Sequence, residues 1–394
     1  MVQCVIIGNG AAGAYAAQQI RLHAADAKII ILSREPYTLY ARPRLHEIIA
    51  GTATPDSIII HTPEWYKSNN IDFRAKTDVL SIDTETKTIV VNTNDRIPYD
   101  KLLIATGSVP FRIPLSGSAD DMIYSIKTID DAVRLQERAE NSHTAVLIGG
   151  GLLGLETANA LLAHELTVTV IEMFDRLLPR QIDAEGSLFI QHSLESMGYH
   201  FHLGVKTKEI VSDNGQSVLI LDNGTAIECD FIQMSLGIRA VTELVNGTAI
   251  ETNHGIIVNE KMETSVPDVY AAGDCVVVHR RNYGLWTAAK AMGEVAGKNI
   301  AGGEAVFSSY TPSTVLKVAG ISLVSIGDIT ASDTRDIQEY KRINREKGIY
   351  IKVFSEAGKI CGGIVIGDAK IGRTVKNAIG SPVQSIIDVL QLSA

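Results

Sequence analysis

The stretch Thr144-Ala145-Val146-Leu147-Ile148-Gly149-Gly150-Gly151-Leu152-Leu153-Gly154-Leu155-Glu156, followed after a helical segment by Thr167-Val-Thr-Val-Ile-Glu172, decides how this chain is read. Ala145 to Ile148 is an apolar run of the kind carried by a strand buried on both faces. It leads directly into Gly149-x-Gly151-x-x-Gly154, a helix, and a second apolar strand closed by Glu172. Strand, glycine turn, helix, strand and terminal acid together form a dinucleotide-binding unit. The glycines allow a tight turn, close approach of a pyrophosphate and close helix–strand packing. Leu152 and Leu153 open the helix, whose free N–H groups and partial positive charge suit that pyrophosphate. Glu172 would accept hydrogen bonds from a ribose 2′-hydroxyl and repel a 2′-phosphate.

Near the N-terminus the pattern occurs again. A strand at Cys4 to Ile7 meets Gly8-x-Gly10-Ala11-Ala12-Gly13, a helix runs to about Leu22, and Lys28 to Leu32 is the next buried strand. Glu35 arrives slightly late for a ribose ligand, with Ser33 as the alternative. In Tyr40-Ala-Arg42-Pro43-Arg44-Leu45, Arg42 can neutralise phosphate and Pro43 can lie against a flat ring. In isolation this would be a surface loop. His46 and Glu47 have the chemistry of acid–base groups, but both read first as a solvated helix start. A meander is expected from Phe73 to Val91, and then a strand from Lys101 ends in Ala105-Thr106-Gly107-Ser108, whose small residues let the backbone approach a ligand.

An inserted unit from about Ser118 to Ala240 repeats this layout: fingerprint, meander (Phe201 to Asp230), closing strand (Phe231 to Leu236) and Gly237. Internal duplication of this kind reads as two copies of one architecture. After Pro267, Val269-Tyr-Ala-Ala-Gly273-Asp274 places a carboxylate where a ribityl chain needs an acceptor. The alanine- and glycine-rich helix Trp286 to Ile300 fits beneath a large planar ring. A merely well-packed core helix would explain the alanines but not the Gly-Asp pair. From Ser309 the pattern changes to strands (Ser313 to Ile326, Gly348 to Phe354, Lys359 to Ile366) and a terminal helical region. The polar cluster Arg335 to Lys347 reads as a solvated hairpin or helix. With no fingerprint of its own, this segment is assigned an interface role.

The expected fold is α/β: two Rossmann-like dinucleotide-binding domains, one inserted in the other, plus a small α+β C-terminal domain. The boundaries are 1–112 with 241–308, 113–240, and 309–394. A chain of 394 residues exceeds one compact core. Apolar content of 45%, charge of 21% and 33 glycines fit a globular α/β protein. The net charge of −9 argues against nucleic acid or an anionic membrane as partner. From Ser309 on, 11 Lys and Arg stand against 8 Asp and Glu, so this segment is +3 and the remainder −12. A mildly basic tail suits an acidic partner, and random surface variation would also produce it. No apolar run approaches the ~18 residues of a membrane span, and the apolar start reads as a strand rather than a signal peptide. Cys4, Cys229, Cys275 and Cys361 are widely spaced, which argues against a disulfide framework, a zinc site or a cluster and for a cytoplasmic setting. The sequence sets no oligomeric state.

The order Gly8-x-Gly10-x-x-Gly13, Ala105-Thr106-Gly107, Gly149-x-Gly151-x-x-Gly154 and Gly273-Asp274 resembles the FAD-dependent pyridine-nucleotide disulfide oxidoreductase superfamily. Within it the chain is similar to the NAD(P)H:rubredoxin reductases and to the flavin module of nitrite reductases. Tyr40-x-Arg42-Pro43-Arg44-Leu45, Gly284-Leu-Trp286 and Thr311-Pro-x-x-x-Leu-Lys317 carry that finer likeness. The resemblance implies FAD bound by Gly8, Gly10, Ala11, Ala12, Gly13, Ser33, Glu35, Arg42, Val79, Ala105, Thr106, Gly107, Gly273, Asp274 and Trp286. It implies NADH bound by Gly149, Gly151, Leu152, Leu153, Gly154, Glu172 and Gly237. Disulfide reductases of the superfamily carry cysteine beside the flavin; Arg42 to Glu47 has none, so thiol–disulfide relay is not expected. Oxygenase-coupled ferredoxin reductases carry a lysine where Glu47 stands, paired with a glutamate matching Glu156. Lys317 is the expected replacement, which makes Lys317, Glu156 and Pro43 the catalytic set. The implied activity is an oxidoreductase passing electrons from NADH to a small acidic iron–sulfur carrier, rubredoxin or ferredoxin. A nitrite reductase flavin module, an NADH oxidase, or a redox sensor binding both nucleotides are the other readings.

Overall fold

A computed structural model describes all residues except 118–119, 214–215, 309, 312, 319, 328, 330–335 and 394. Ser118, Ser309, Pro312 and Arg335, used above as boundaries or motif members, lie outside the described residues. The chain forms two compact units, residues 1–45, 53–111 and 237–310 in one, and 46–52, 112–236 and 311–394 in the other.

The first unit is built on a five-stranded parallel sheet in the order Val269–Ala271, Lys101–Ile104, Gln3–Ile7, Lys28–Leu32, Ile71–Arg74. Its central strands are uninterrupted apolar runs because helices can cover both faces of a parallel sheet. The helices Ala11–His23 and Trp286–Ile300 pack face to face. A Cβ on Gly293 would collide with the backbone of Ala12, and one on Gly297 with that of Ala16. Those glycines therefore set the helix–helix distance, which is why the second helix is so rich in small residues. An antiparallel meander follows, Val79–Asp83, Thr88–Val91 and Arg96–Pro98. Phe73, expected in that meander, belongs instead to the edge strand of the parallel sheet, since Ile31 pairs with it in register.

The second unit contains the duplicate: a parallel sheet ordered His200–Leu203, Thr167–Glu172, Thr144–Ile148, Phe231–Met234, Ile123–Tyr124. In both sheets the fingerprint strand lies between the second strand and the strand that follows the meander. The fifth place is filled from after the fingerprint in one copy (Val269–Ala271) and from before it in the other (Ile123–Tyr124). Phe201, like Phe73, pairs into the parallel sheet, and the meander proper is Thr207–Asp213, Gln216–Leu221 and Ala226–Glu228.

The last segment of this unit forms a five-stranded antiparallel sheet, Ser313–Val318, Ile321–Gly327, Lys359–Ile366, Ile349–Glu356, Ile337–Asn344, with helices Ala369–Asn377 and Gln384–Leu390. The run expected as one strand from Ser313 to Ile326 is two strands, turned at Gly320 (φ +79°). Within the described part of the polar cluster, Ile337–Asn344 is the outer strand of this sheet, bridged on its far side at Lys341 by Ser393.

Asp183 ties this sheet to the duplicate fingerprint domain. Its carboxylate caps the helix Ala184–Glu195 by accepting from the Gly186 N–H at 3.0 Å. It also accepts from the Tyr350 hydroxyl at 2.9 Å and from Lys352 at 2.8 Å. Lys352 is buried and pairs with Glu339 at 2.7 Å as well. Burial alone would raise the Asp183 pKa, but Lys352, the Gly186 N–H and Tyr350 together hold it below its ordinary value. A carboxylate with a depressed folded-state pKa contributes stability above its ordinary range and loses it as pH falls through the folded value. Replacing Lys352 with Met leaves the half-buried Asp183 without its cation, so the expected loss is about 1–2 kcal/mol, read as a lower unfolding midpoint at pH 7. An unchanged midpoint would mean the cluster adds nothing.

Candidate functional site

The two fingerprints use their glycines in the same divided way. Gly8 has φ +108° and Gly149 φ +113°, and a Cβ on them would strike the carbonyls of Ala105 and Ser235 respectively. Added Cβ atoms on Gly13 and Gly154 would strike the carbonyls of Gly8 and Gly149. These four are required by the protein's own packing. Gly10 and Gly151 are different. Each is the N-cap of its helix in extended backbone (φ −77° and −83°), and a Cβ on either would meet nothing within 4 Å. Neither helix start is capped by a side chain. Nothing in the chain excludes a side chain at these two positions, so the space in front of the uncapped N–H groups fits a group from outside it. A pyrophosphate is the group such a terminus holds. Ala11 and Ala12 continue the first turn buried, whereas Leu153 is exposed on the second.

Around the first fingerprint, the residues expected to bind a cofactor come together, but with partners of their own. The Glu35 carboxylate accepts from the Tyr40 hydroxyl at 2.6 Å and from Arg42. Ser33 is buried and its hydroxyl donates to the Glu35 carbonyl at 3.2 Å. Arg42 is therefore not an isolated phosphate cation: burial works against its charge, and Tyr40, Glu35 and Asp274 more than compensate. Ser108 donates to the Asp274 carboxylate at 2.9 Å, and Thr106 donates to the Val241 carbonyl at 2.9 Å. Gly107 (φ +72°) and Gly273 (φ +91°) take conformations that favour glycine. Ala105 is buried, Val79 is buried at the start of the meander, Pro43 is exposed in the turn Arg42–Arg44, and Trp286 opens its helix. Asn9, inside the fingerprint, accepts from Tyr66 at 2.9 Å while its buried Nδ2 has no protein partner. That donor is an additional feature fit for an incoming acceptor, and no sequence pattern marks it.

In the second unit, Glu172 is buried and accepts from the N–H of Gly150 at 2.8 Å and of Phe174 at 3.0 Å. Its carboxylate thus braces the glycine turn from behind as well as closing the strand. Gly237, in the first unit, has φ +99°. Glu156, on the fingerprint helix Leu152–Leu162, is pushed up to about 7 by burial. The ion-pair neighbour it has is His46, at 4.0 Å, rather than Lys317. Lys317 is exposed on Ser313–Val318, a strand that packs on the same helix. His46 lies on the short helix Leu45–Ile49 and approaches Glu156, a residue far along the chain.

Cys4, Cys229 and Cys275 are buried thiols. Burial raises Cys4 and Cys229 to about 11 and raises Cys275 as well. Thiols held so far from ionisation at neutral pH are poor nucleophiles.

Residues 2–293 match the pyridine nucleotide-disulphide oxidoreductase family, and residues 312–382 match the rubredoxin NAD+ reductase C-terminal domain. The nitrite reductase [NAD(P)H] of Bacillus subtilis is 35% identical over 393 residues, 99% of this chain and 48% of that protein. The NADH-rubredoxin oxidoreductase of Clostridium acetobutylicum is 33% identical over 377 residues, 96% of this chain and 94% of that one. The crystal structure of NADH:rubredoxin oxidoreductase from Clostridium acetobutylicum superposes with a TM-score of 0.80 at 31% identity, covering 98% of this chain and 99% of that one. The chain thus spans about half the length of one such relative and nearly all of another.

The division of labour among the glycines is testable. Gly151→Ala is expected to leave the unfolding midpoint unchanged while weakening dinucleotide binding about tenfold, or ~1.4 kcal/mol. Gly154→Ala should lower the midpoint. Calorimetric unfolding and NADH titration of both variants check this; equal loss of stability in both would contradict it.

Proposed function

The chain belongs to the pyridine nucleotide-disulphide oxidoreductase family, and we propose that it is an FAD-dependent NADH oxidoreductase delivering electrons singly to a small iron–sulfur carrier, rubredoxin foremost. The observation that carries this reading is the pair of open, uncapped fingerprint helices on one chain, whose buried Cys4, Cys229 and Cys275 are unsuited to a thiol relay. The end-to-end likeness to a rubredoxin reductase, including the C-terminal segment, supports the choice of carrier. The segments 1–112 and 241–308 would hold FAD and the inserted domain (113–240) NADH, with 309–394 as the carrier-facing domain. The chemistry that FAD supplies when bound is the exchange of one hydride for two single electrons.

The chain's own residues have definite tasks in this scheme. The N–H groups beyond Gly10 and Gly151 hold the two pyrophosphates. Arg42, kept charged by its acidic neighbours, neutralises phosphate, and Asp274, oriented by Ser108, accepts from the ribityl hydroxyls. Glu172 selects the unphosphorylated ribose, so NADH rather than NADPH. Lys317 remains proposed as a cation acting at the ring. The basic C-terminal segment, +3 by composition, steers an acidic carrier. No helix among the described residues is long and apolar enough to cross a membrane, and the proposed setting is the cytoplasm. The likeness to half of a nitrite reductase favours a second reading, a flavin module feeding a separate sirohaem-bearing partner.

Stopped-flow mixing of the FAD-loaded protein with NADH should bleach the flavin, and rubredoxin should restore it within turnover time. A protein that binds both nucleotides without bleaching would instead be a sensor. Glu172→Ala should shrink the NADH preference in kcat/KM by about tenfold or more, the scale of one charge-assisted contact. Equal efficiency with both nucleotides in the parent would refute the role of Glu172. Lys317→Met should slow reduction by NADH, and unchanged kinetics and flavin spectrum would remove Lys317 from the catalytic set.

A further inference from the structure

A two-residue turn in the first unit carries a conformational cost that its own packing does not explain. The Val278 N–H donates to the Arg281 carbonyl at 3.1 Å, and the Arg281 N–H to the Val278 carbonyl at 3.0 Å. Between them His279 and Arg280 both have positive φ, +52° and +60°. A hairpin turn of this kind needs positive φ at both central positions, and asparagine followed by glycine supplies it without strain. This chain places histidine and arginine there instead. His279 has a structural reason: its Nε2 lies 2.8 Å from a Glu260 carboxylate oxygen and its ring stacks on the buried Phe307. Arg280 has none. It is exposed, and its guanidinium makes no hydrogen bond or ion pair with another described residue. Strain kept where the fold does not use it points to function.

We propose that the turn Val278–Arg281 is the contact surface for the acidic iron–sulfur carrier, with Arg280 and Arg281 pairing with its carboxylates. This rests on the reading that the chain reduces such a carrier. Arg281 is exposed as well and lies 5.9 Å over the Tyr283 ring, which packs edge-on against Phe307 and Tyr310. Two adjacent cations therefore stand on a fixed aromatic base, in a chain that is −12 outside its C-terminal segment. A guanidinium at an open tip suits carboxylates on another protein's surface, which it binds through two parallel N–H groups. A nucleic acid or anionic membrane would meet the net charge of −9 at longer range and be repelled. The turn is also tied to the loop assigned to the ribityl chain. Asn282 Nδ2 donates to the carbonyls of Asp274 at 2.7 Å and Val276 at 3.0 Å, and the chain then enters the helix that Trp286 opens. Turn and loop belong to one compact unit, so a carrier seated on the arginines is held at that loop. The +3 of the C-terminal segment acts on the approach, and the turn acts in contact.

The test is stopped-flow reoxidation of the FAD-loaded, NADH-reduced protein by oxidised rubredoxin over a series of salt concentrations. Arg280→Gly and Arg281→Gln should each lower the second-order rate at low ionic strength, and the double variant should lower it about tenfold or more, with a flatter salt dependence. Arg96→Gln removes an exposed arginine from the meander of the same unit and should keep the parental rate. Benzoquinone, which has no charge to dock, should reoxidise parent and variants alike. Arg280→Gly should also hold or raise the unfolding midpoint, because glycine takes positive φ without strain. Loss of carrier rate without loss of stability is the signature of a contact residue. Variants that match the parent with rubredoxin, or that slow equally with benzoquinone, overturn the assignment. So does an Arg96→Gln protein slowed as much as the turn variants, or an Arg280→Gly midpoint below the parent's. A reduced parent that neither rubredoxin nor ferredoxin reoxidises would instead overturn the reading beneath it.

Discussion

A helix can offer its unpaired N–H groups to a diphosphate only if no side chain stands in front of them. The sites in this protein follow from that constraint. It explains why each fingerprint needs a glycine at a position where backbone conformation does not ask for one, Gly10 and Gly151. The other two glycines of each motif serve a different demand. They bring the turn against the neighbouring strand so closely that a single methyl group would collide with a carbonyl. One motif thus combines a ligand requirement with a packing requirement.

Charge is handled by pairing wherever it is withdrawn from water. Glu35 accepts from both Arg42 and the Tyr40 hydroxyl, and Asp274 adds to the negative field that keeps Arg42 charged. In the other unit Asp183 caps a helix and receives Tyr350 and Lys352 from the C-terminal sheet. That cluster makes the terminal segment an extension of the inserted domain's fold, held by a buried ion pair and not by apolar contact alone. Glu156 is the exception: it is largely buried and stands no closer than 4.0 Å to His46. It carries its burial as a raised proton affinity.

Much of this was legible from residue order. Apolar runs meeting Gly-x-Gly-x-x-Gly located both parallel sheets, because a buried strand and an uncapped helix need those residue types in that order. The boundaries of the meanders were not legible. Phe73 and Phe201 sit in short mixed segments whose alternation resembles an antiparallel strand, and only their register with Ile31 and Val170 shows them to be parallel edges. The edge strand Ile337–Asn344 was obscured for a similar reason: exposed edges carry charge, so its polarity reads equally as a solvated hairpin or helix.

By itself the sequence determined that two nucleotide folds occur on one chain, that the first favours no particular acid with certainty while the second ends on Glu172, and that no cysteine stands beside Arg42 and Pro43. Those are local facts, fixed by which side chains a turn or a strand end can tolerate. Which charges meet was decided by tertiary structure alone: Glu35 with Arg42, Asp183 with Lys352, and His46 with Glu156. Pairing depends on where the folded backbone brings distant positions, and proton affinity depends on how much water that folding removes. Neither quantity exists until the chain has closed around the group.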